Sequence, residues 1–94
     1  MKIWLDDLRE PDRTYWWVCS VNDAKDLILQ CERQNVPIEL LDLDYDLGNN
    51  ELRGGTGMRL LEWLHERGTH YPCEVHSTHF FGAPAMMEYI RDNW

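Results

Sequence analysis

The sequence predicts an α/β domain built on a mostly parallel sheet, and three observations carry that reading. Runs of β-forming residues alternate with segments of helical period along the chain. One run, Ile38 to Leu43, is apolar on both alternating faces, as a strand covered on both sides should be. Acidic residues stand directly behind the apolar runs, where parallel sheets collect their reactive groups. With 94 residues, 44% hydrophobic and 28% charged, the chain suffices for one domain over residues 1–94 and excludes two.

Each element follows from local chemistry. Lys2 to Leu5 (KIWL) is a short apolar run stopped by Asp6-Asp7, and Tyr15 to Cys19 (YWWVC) is a second, separated from it by the breaker-rich LREPDRT. Ser20 to Asp23 starts a helix on which Ala24, Leu27, Ile28 and Cys31 form one apolar face, ending near Asn35. Pro37 resets the chain before the central strand, Ile38 to Leu43. A polar, Gly-rich loop, DYDLGNNELRGGTG, leads to a helix marked by Met58, Leu60, Leu61 and Leu64 and closed by Gly68. Pro72 to Ser77 is a fourth strand. Gly82-Ala83-Pro84 opens a last helix with Met86, Met87, Ile90 and Trp94 as its stripe. Right-handed connections arrange about four strands in the order 2-1-3-4, with about three helices, in two or three layers.

Seventeen acidic against nine basic residues give a net charge of −8, which repels duplex DNA. Three cysteines without C-x-x-C spacing read as reduced thiols, and neither a signal-like start nor a long apolar run is present. The expectation is a cytoplasmic protein with no membrane partner. No helix links the first two strands, so one sheet face should be poor in helices. That predicts a homodimer or tight partner there, with Trp16 or Trp17 contributing, unless Leu8 to Thr14 folds across it.

The functional signal lies at the strand ends. Asp6 and Asp7 follow the first strand, Asp44 and Asp46 the third, and His76 and Ser77 end the fourth. Four converging carboxylates repel one another unless a hard divalent cation, Mg²⁺ or Mn²⁺, neutralises them. Taken singly, each acid is equally explained as a loop cap facing water. His76 and His79 stand where a proton could be passed at neutral pH, whereas His65 and His70 read as solvent-facing. Other templates fail: there is no G-x-S-x-G elbow, no H-E-x-x-H and no P-loop lysine after Gly54. His76-Ser77-Thr78 fits one H-x-T element of a two-histidine phosphoesterase, but no second one follows.

KIWLDDLREP, LDYDLG, Thr56-Gly57, and VHS followed by FFGAPAMMEYI resemble, over nearly the whole chain, the cyclic-phosphate processing receiver domain, a reduced relative of response-regulator receivers with a flavodoxin-like fold. The resemblance makes Asp6 and Asp7 the acidic pair that holds a cation, with Asp44 as acceptor aspartate and Asp46 in the loop behind it. It makes Ser77 the hydroxyl that meets a phosphoryl oxygen. Asp42 is not acidic in that pattern and reads as a partly buried, hydrogen-bonded strand residue. His79-Phe80 replaces the family's Asn-Pro pair.

The implied function is metal-dependent binding, extending to hydrolysis, of a cyclic phosphate on a nucleotide or RNA end. Asp44, His76 and Ser77 would act on it, and Ser77 and His79 would hold the phosphate. The alternative is a non-enzymatic interaction or phosphoacceptor module using Asp44. That relay lacks the strand-end lysine of switching receivers, since only Lys2 and Lys25 occur.

Overall fold

The structure, a computed structural model, describes residues 1–94. Strands β1 (Lys2–Leu5), β2 (Tyr15–Val18), β3 (Leu40–Leu43) and β4 (Cys73–Val75) form one parallel sheet in the order β2-β1-β3-β4. Helices α1 (Val21–Arg33), α2 (Gly57–Arg67) and α3 (Gly82–Asn93) complete the α/β receiver-like fold. Within the loop before α2, Gly48–Arg53 winds into a 3-10 turn.

Local signals explain the boundaries. The Ser20 hydroxyl accepts a bond from the Asp23 N–H at 3.1 Å and caps α1, and Gly68 closes α2 in the left-handed conformation. The third strand starts at Leu40 rather than Ile38, yet the Glu39 N–H still reaches the Met1 carbonyl at 2.8 Å. The fourth is equally shorter than Pro72 to Ser77, although the His76 N–H continues its ladder to Leu43.

Alternation along the strands decides which face is buried. Ile3, Leu5, Leu41 and Leu43 pack in one core with Ala24 and Ile28 of α1, Leu60, Leu61 and Leu64 of α2, and Met86 of α3. Each of these Leu, Ile and Met side chains contributes about 1.5–3 kcal/mol when fully buried. All three helices therefore lie on one face, and the domain has two layers.

The opposite face corrects the expectation that both are apolar. The register aligns Trp17, Trp4, Asp42 and Glu74 in one row across the sheet. Asp42 is only 7% exposed, accepting from the Tyr15 hydroxyl at 3.1 Å and pairing with His76. The β1–β2 link lies partly over this face, since the Trp4 indole N–H donates to the Arg9 carbonyl at 2.8 Å. Trp17 shares this side and is partly exposed, whereas Trp16 falls in the row of Ile3 on the helix side. No helix is long and apolar enough to cross a membrane, and all three cysteines are free.

Candidate functional site

The parallel ladder brings the strand ends together. The Asp44 N–H donates to the Leu5 carbonyl at 2.9 Å and the Asp6 N–H to Val18 at 3.1 Å, so the residues just past β1 and β3 stand side by side. A cavity of about 500 Å³ opens there. Asp6, Asp7, Asp44 and Asp46 line it, and Ser77 and His79 face it from beyond β4. Gly57 fixes one wall: a Cβ on it would lie 1.9 Å from the Asp44 carbonyl oxygen, so only glycine lets α2 start against that strand end. Gly48, at φ +56°, leaves room for the Asp7 carboxylate, which a Cβ would meet at 2.8 Å.

This acid pair, strand-end aspartate and hydroxyl, on a 2-1-3-4 sheet, coincide with a match of residues 1–92 to the model of the cyclic-phosphate processing receiver domain. The chain belongs to that family. Searches among curated proteins and solved structures gave no match.

Within this cyclic-phosphate processing receiver domain the four carboxylates are not equivalent. Asp6 is saturated: one oxygen accepts the Leu8 and Arg9 N–H groups at 2.8 and 2.9 Å, the other meets Arg9 Nε at 3.2 Å and His76 Nε2 at 2.9 Å. Burial works to raise its pKa, but the Arg9 and Leu8 N–H bonds and His76 outweigh it and hold the carboxyl below its ordinary value. Asp7 goes the other way, pushed up by burial and then by the charges of Asp6, Asp44 and Asp46. Asp46 is held low chiefly by the Gly48 N–H, which donates to it at 3.0 Å.

These donors fit a hard divalent cation. Asp44 Oδ1 accepts the Tyr45 N–H at 2.8 Å while its Oδ2 has only Arg9 at 3.8 Å, and Asp7 carries the repulsion that a cation would relieve. Ligand atoms of Asp6, Asp44 and His76 also lie within 4.8 Å of one another. Asp6 and His76 already bond each other, however, so Asp6 suits an outer role.

His76 does not line the cavity. It stands behind Asp6, with Nδ1 2.8 Å from Asp42 and the ring stacked on Trp4. Both nitrogens are taken up by carboxylates. Ser77 lines the cavity, and its Oγ accepts the His79 N–H at 3.1 Å. His79 Nδ1 accepts the Gly82 N–H at 3.0 Å, which leaves Nε2 to carry the ring proton as a donor.

Arg9 is the site residue that sequence reasoning missed. Its guanidinium touches Asp6, donates to the His76 carbonyl at 3.2 Å and stands 3.8 Å from Asp44 Oδ2. The signal was its place three residues after Asp6 in KIWLDDLREP. His65 and His70, read as solvent-facing, pair ring to ring at 2.9 Å at the C-terminal end of α2 and are absent from the cavity lining.

Proposed function

We propose that the cavity binds Mg²⁺ or Mn²⁺ and, with it, the phosphate of a nucleotide or RNA end, and that it hydrolyses a cyclic phosphate there. The observation that carries this is the gathering of four carboxylates, Asp6, Asp7, Asp44 and Asp46, in one cavity with Arg9, Ser77 and His79. Asp7 and Asp44 would hold the ion, with Asp46 beside them and Asp6 acting through its ordered position. The ion would polarise a phosphoryl oxygen and lower the pKa of water. Arg9 and Ser77 orient the phosphate, and His79 Nε2–H donates to an oxygen of it. His76 acts as a positioning residue, because its clamp on Asp6 keeps that carboxylate charged. A reducing, cytoplasmic setting accords with three unpaired thiols.

Thermal melts test the ion site. Millimolar Mn²⁺ should raise the melting temperature of the wild type and not that of Asp44→Asn; coincident shifts overturn the proposal. A 2′,3′-cyclic nucleotide then tests hydrolysis, with His79→Ala expected to lose roughly 10- to 100-fold in rate, the range for one hydrogen bond to a charged oxygen.

The second reading, phosphoacceptance on Asp44, is favoured by one observation: Arg9 places a cation 3.8 Å from Asp44 Oδ2 where no lysine exists. Acetyl phosphate adding one phosphoryl mass to wild type but not to Asp44→Asn, without cyclic-phosphate turnover, selects it. The proposed homodimer through the helix-free face rests on the partly exposed Trp17 there. Light scattering that gives a strictly monomeric mass at high micromolar concentration overturns it.

A further inference from the structure

Beside the cavity the surface turns aromatic. Phe80 is 85% exposed and Phe81 55%. The Phe80 ring lies nearly parallel to His79, 13° between planes and 5.5 Å between centroids, while His79 itself lines the cavity. Phe81 stands edge-on to both, 4.3 Å from His79 and 4.9 Å from Phe80. The base of this stack is fixed, because Tyr45 packs on Gly82 so closely that a Cβ there would lie 2.3 Å from its ring. Leu8, 82% exposed, lines the same cavity.

Exposed rings cost solvation unless something covers them, and here they flank the cavity proposed above as the phosphate site. We infer that Phe80, backed by His79 and flanked by Phe81, is a stacking platform for the base of a mononucleotide whose phosphate sits in the acidic cavity. The inference rests on the phosphate-binding reading above and names its substrate class. A flat ring accepts any base, so the platform gives affinity for nucleosides without base specificity. The net charge of −8 selects the partner's size: a mononucleotide brings few charges, whereas an RNA strand brings a row of phosphates that this surface repels.

Calorimetry with Mn²⁺ present, read before turnover, decides, using 2′,3′-cyclic AMP, the base-free methyl riboside 2′,3′-cyclic phosphate, and a short RNA ending in the same cyclic phosphate. The wild type should bind cyclic AMP roughly 10- to 100-fold more tightly than the base-free ester. Phe80→Ala should lose that advantage while keeping its Mn²⁺ affinity and its affinity for the base-free ester, and Phe80→Trp should restore it. Equal binding of cyclic AMP and the base-free ester by the wild type overturns the platform and leaves the phosphate site standing. Tighter binding of the RNA than of cyclic AMP overturns the mononucleotide assignment. If the wild type binds none of the three, the phosphate reading falls and the platform with it.

Discussion

Trp4 lies flat against His76, with ring centroids 3.8 Å apart and planes 3° from parallel. The contact places the imidazole between two carboxylates, Asp42 on Nδ1 and Asp6 on Nε2, so a histidine at a strand end becomes the link between the open sheet face and the acidic cavity. The same indole ties the β1–β2 link down through Arg9, so three parts of the chain meet on one ring.

His76→Ala removes the shared partner of two nearly buried acids, whose side chains are 1% and 10% exposed. Breaking a buried pair from one side costs about 3–5 kcal/mol, because the remaining charge loses its compensation. Urea denaturation should show a loss of that size. Adding Asp42→Asn to His76→Ala should recover part of it, and strictly additive losses would count against the clamp.

Asp7 and Asp6 have opposite effects on stability as pH changes. The folded pKa of Asp6 lies below the usual 3.8, so its contribution is present above that value and is lost as pH falls through the lower folded one. The folded pKa of Asp7 is raised, so its charge costs stability at neutral pH and the cost disappears on acidification. In EDTA at pH 7, Asp7→Asn should therefore melt above wild type, with the gap closing as pH falls towards 3.8. The same variant should lose the Mn²⁺ response, which at a hundredfold excess over Kd is worth about 2.7 kcal/mol. An Asp7→Asn protein that melts below wild type in EDTA at pH 7 contradicts this account.

The fold was legible because period and punctuation agree: KIWL stops at Asp6-Asp7, YWWVC follows the breaker-rich LREPDRT, and Ala24, Ile28 and Cys31 repeat at helical spacing on a face that is buried. What the chain hid was the partner of each polar group. Leu40, Leu41 and Leu43 made β3 look apolar on both sides, whereas Asp42 belongs to the open face, satisfied by Tyr15 and His76 from distant segments. The placing of His76 depends on a strand-to-strand register that no single segment encodes. Arg9 was hidden because its contacts to His76 and Asp44 cross the sheet ends, although its neighbour Asp6 was in plain view.

Gly57 makes the acidic cavity depend on helix packing. A methyl group there would meet the Asp44 carbonyl oxygen at 1.9 Å and the Met86 side chain at 3.1 Å, so α2 must move away or the strand end must shift. Overpacking of this kind costs about 1–3 kcal/mol. Gly57→Ala should therefore melt lower and also bind Mn²⁺ more weakly, because the displaced carbonyl belongs to a proposed ligand residue. Gly68→Ala is the control. Its Cβ meets nothing within 4 Å, so its cost comes only from the positive φ of 72° and should leave Mn²⁺ affinity unchanged.

Arg9 separates the two charges of the proposed ligand. Its guanidinium is half exposed and sits among the Asp6 and Asp44 carboxylates, so without an ion it is their countercharge. A divalent cation competes with it for that role, whereas a phosphate is attracted by it. Arg9→Gln keeps the backbone N–H that bonds Asp6 and removes the charge together with the guanidinium's bonds to Asp6 and the His76 carbonyl. Mn²⁺ should then bind as well as or better than in wild type. The affinity for 2′,3′-cyclic AMP should fall roughly 10- to 100-fold, the range expected for losing a charge-assisted hydrogen bond. Titrating the metal and the nucleotide separately reads the two effects apart. Unchanged nucleotide affinity would confine Arg9 to balancing the charge of the cavity, and a parallel loss of Mn²⁺ affinity would make it a structural support of the acids.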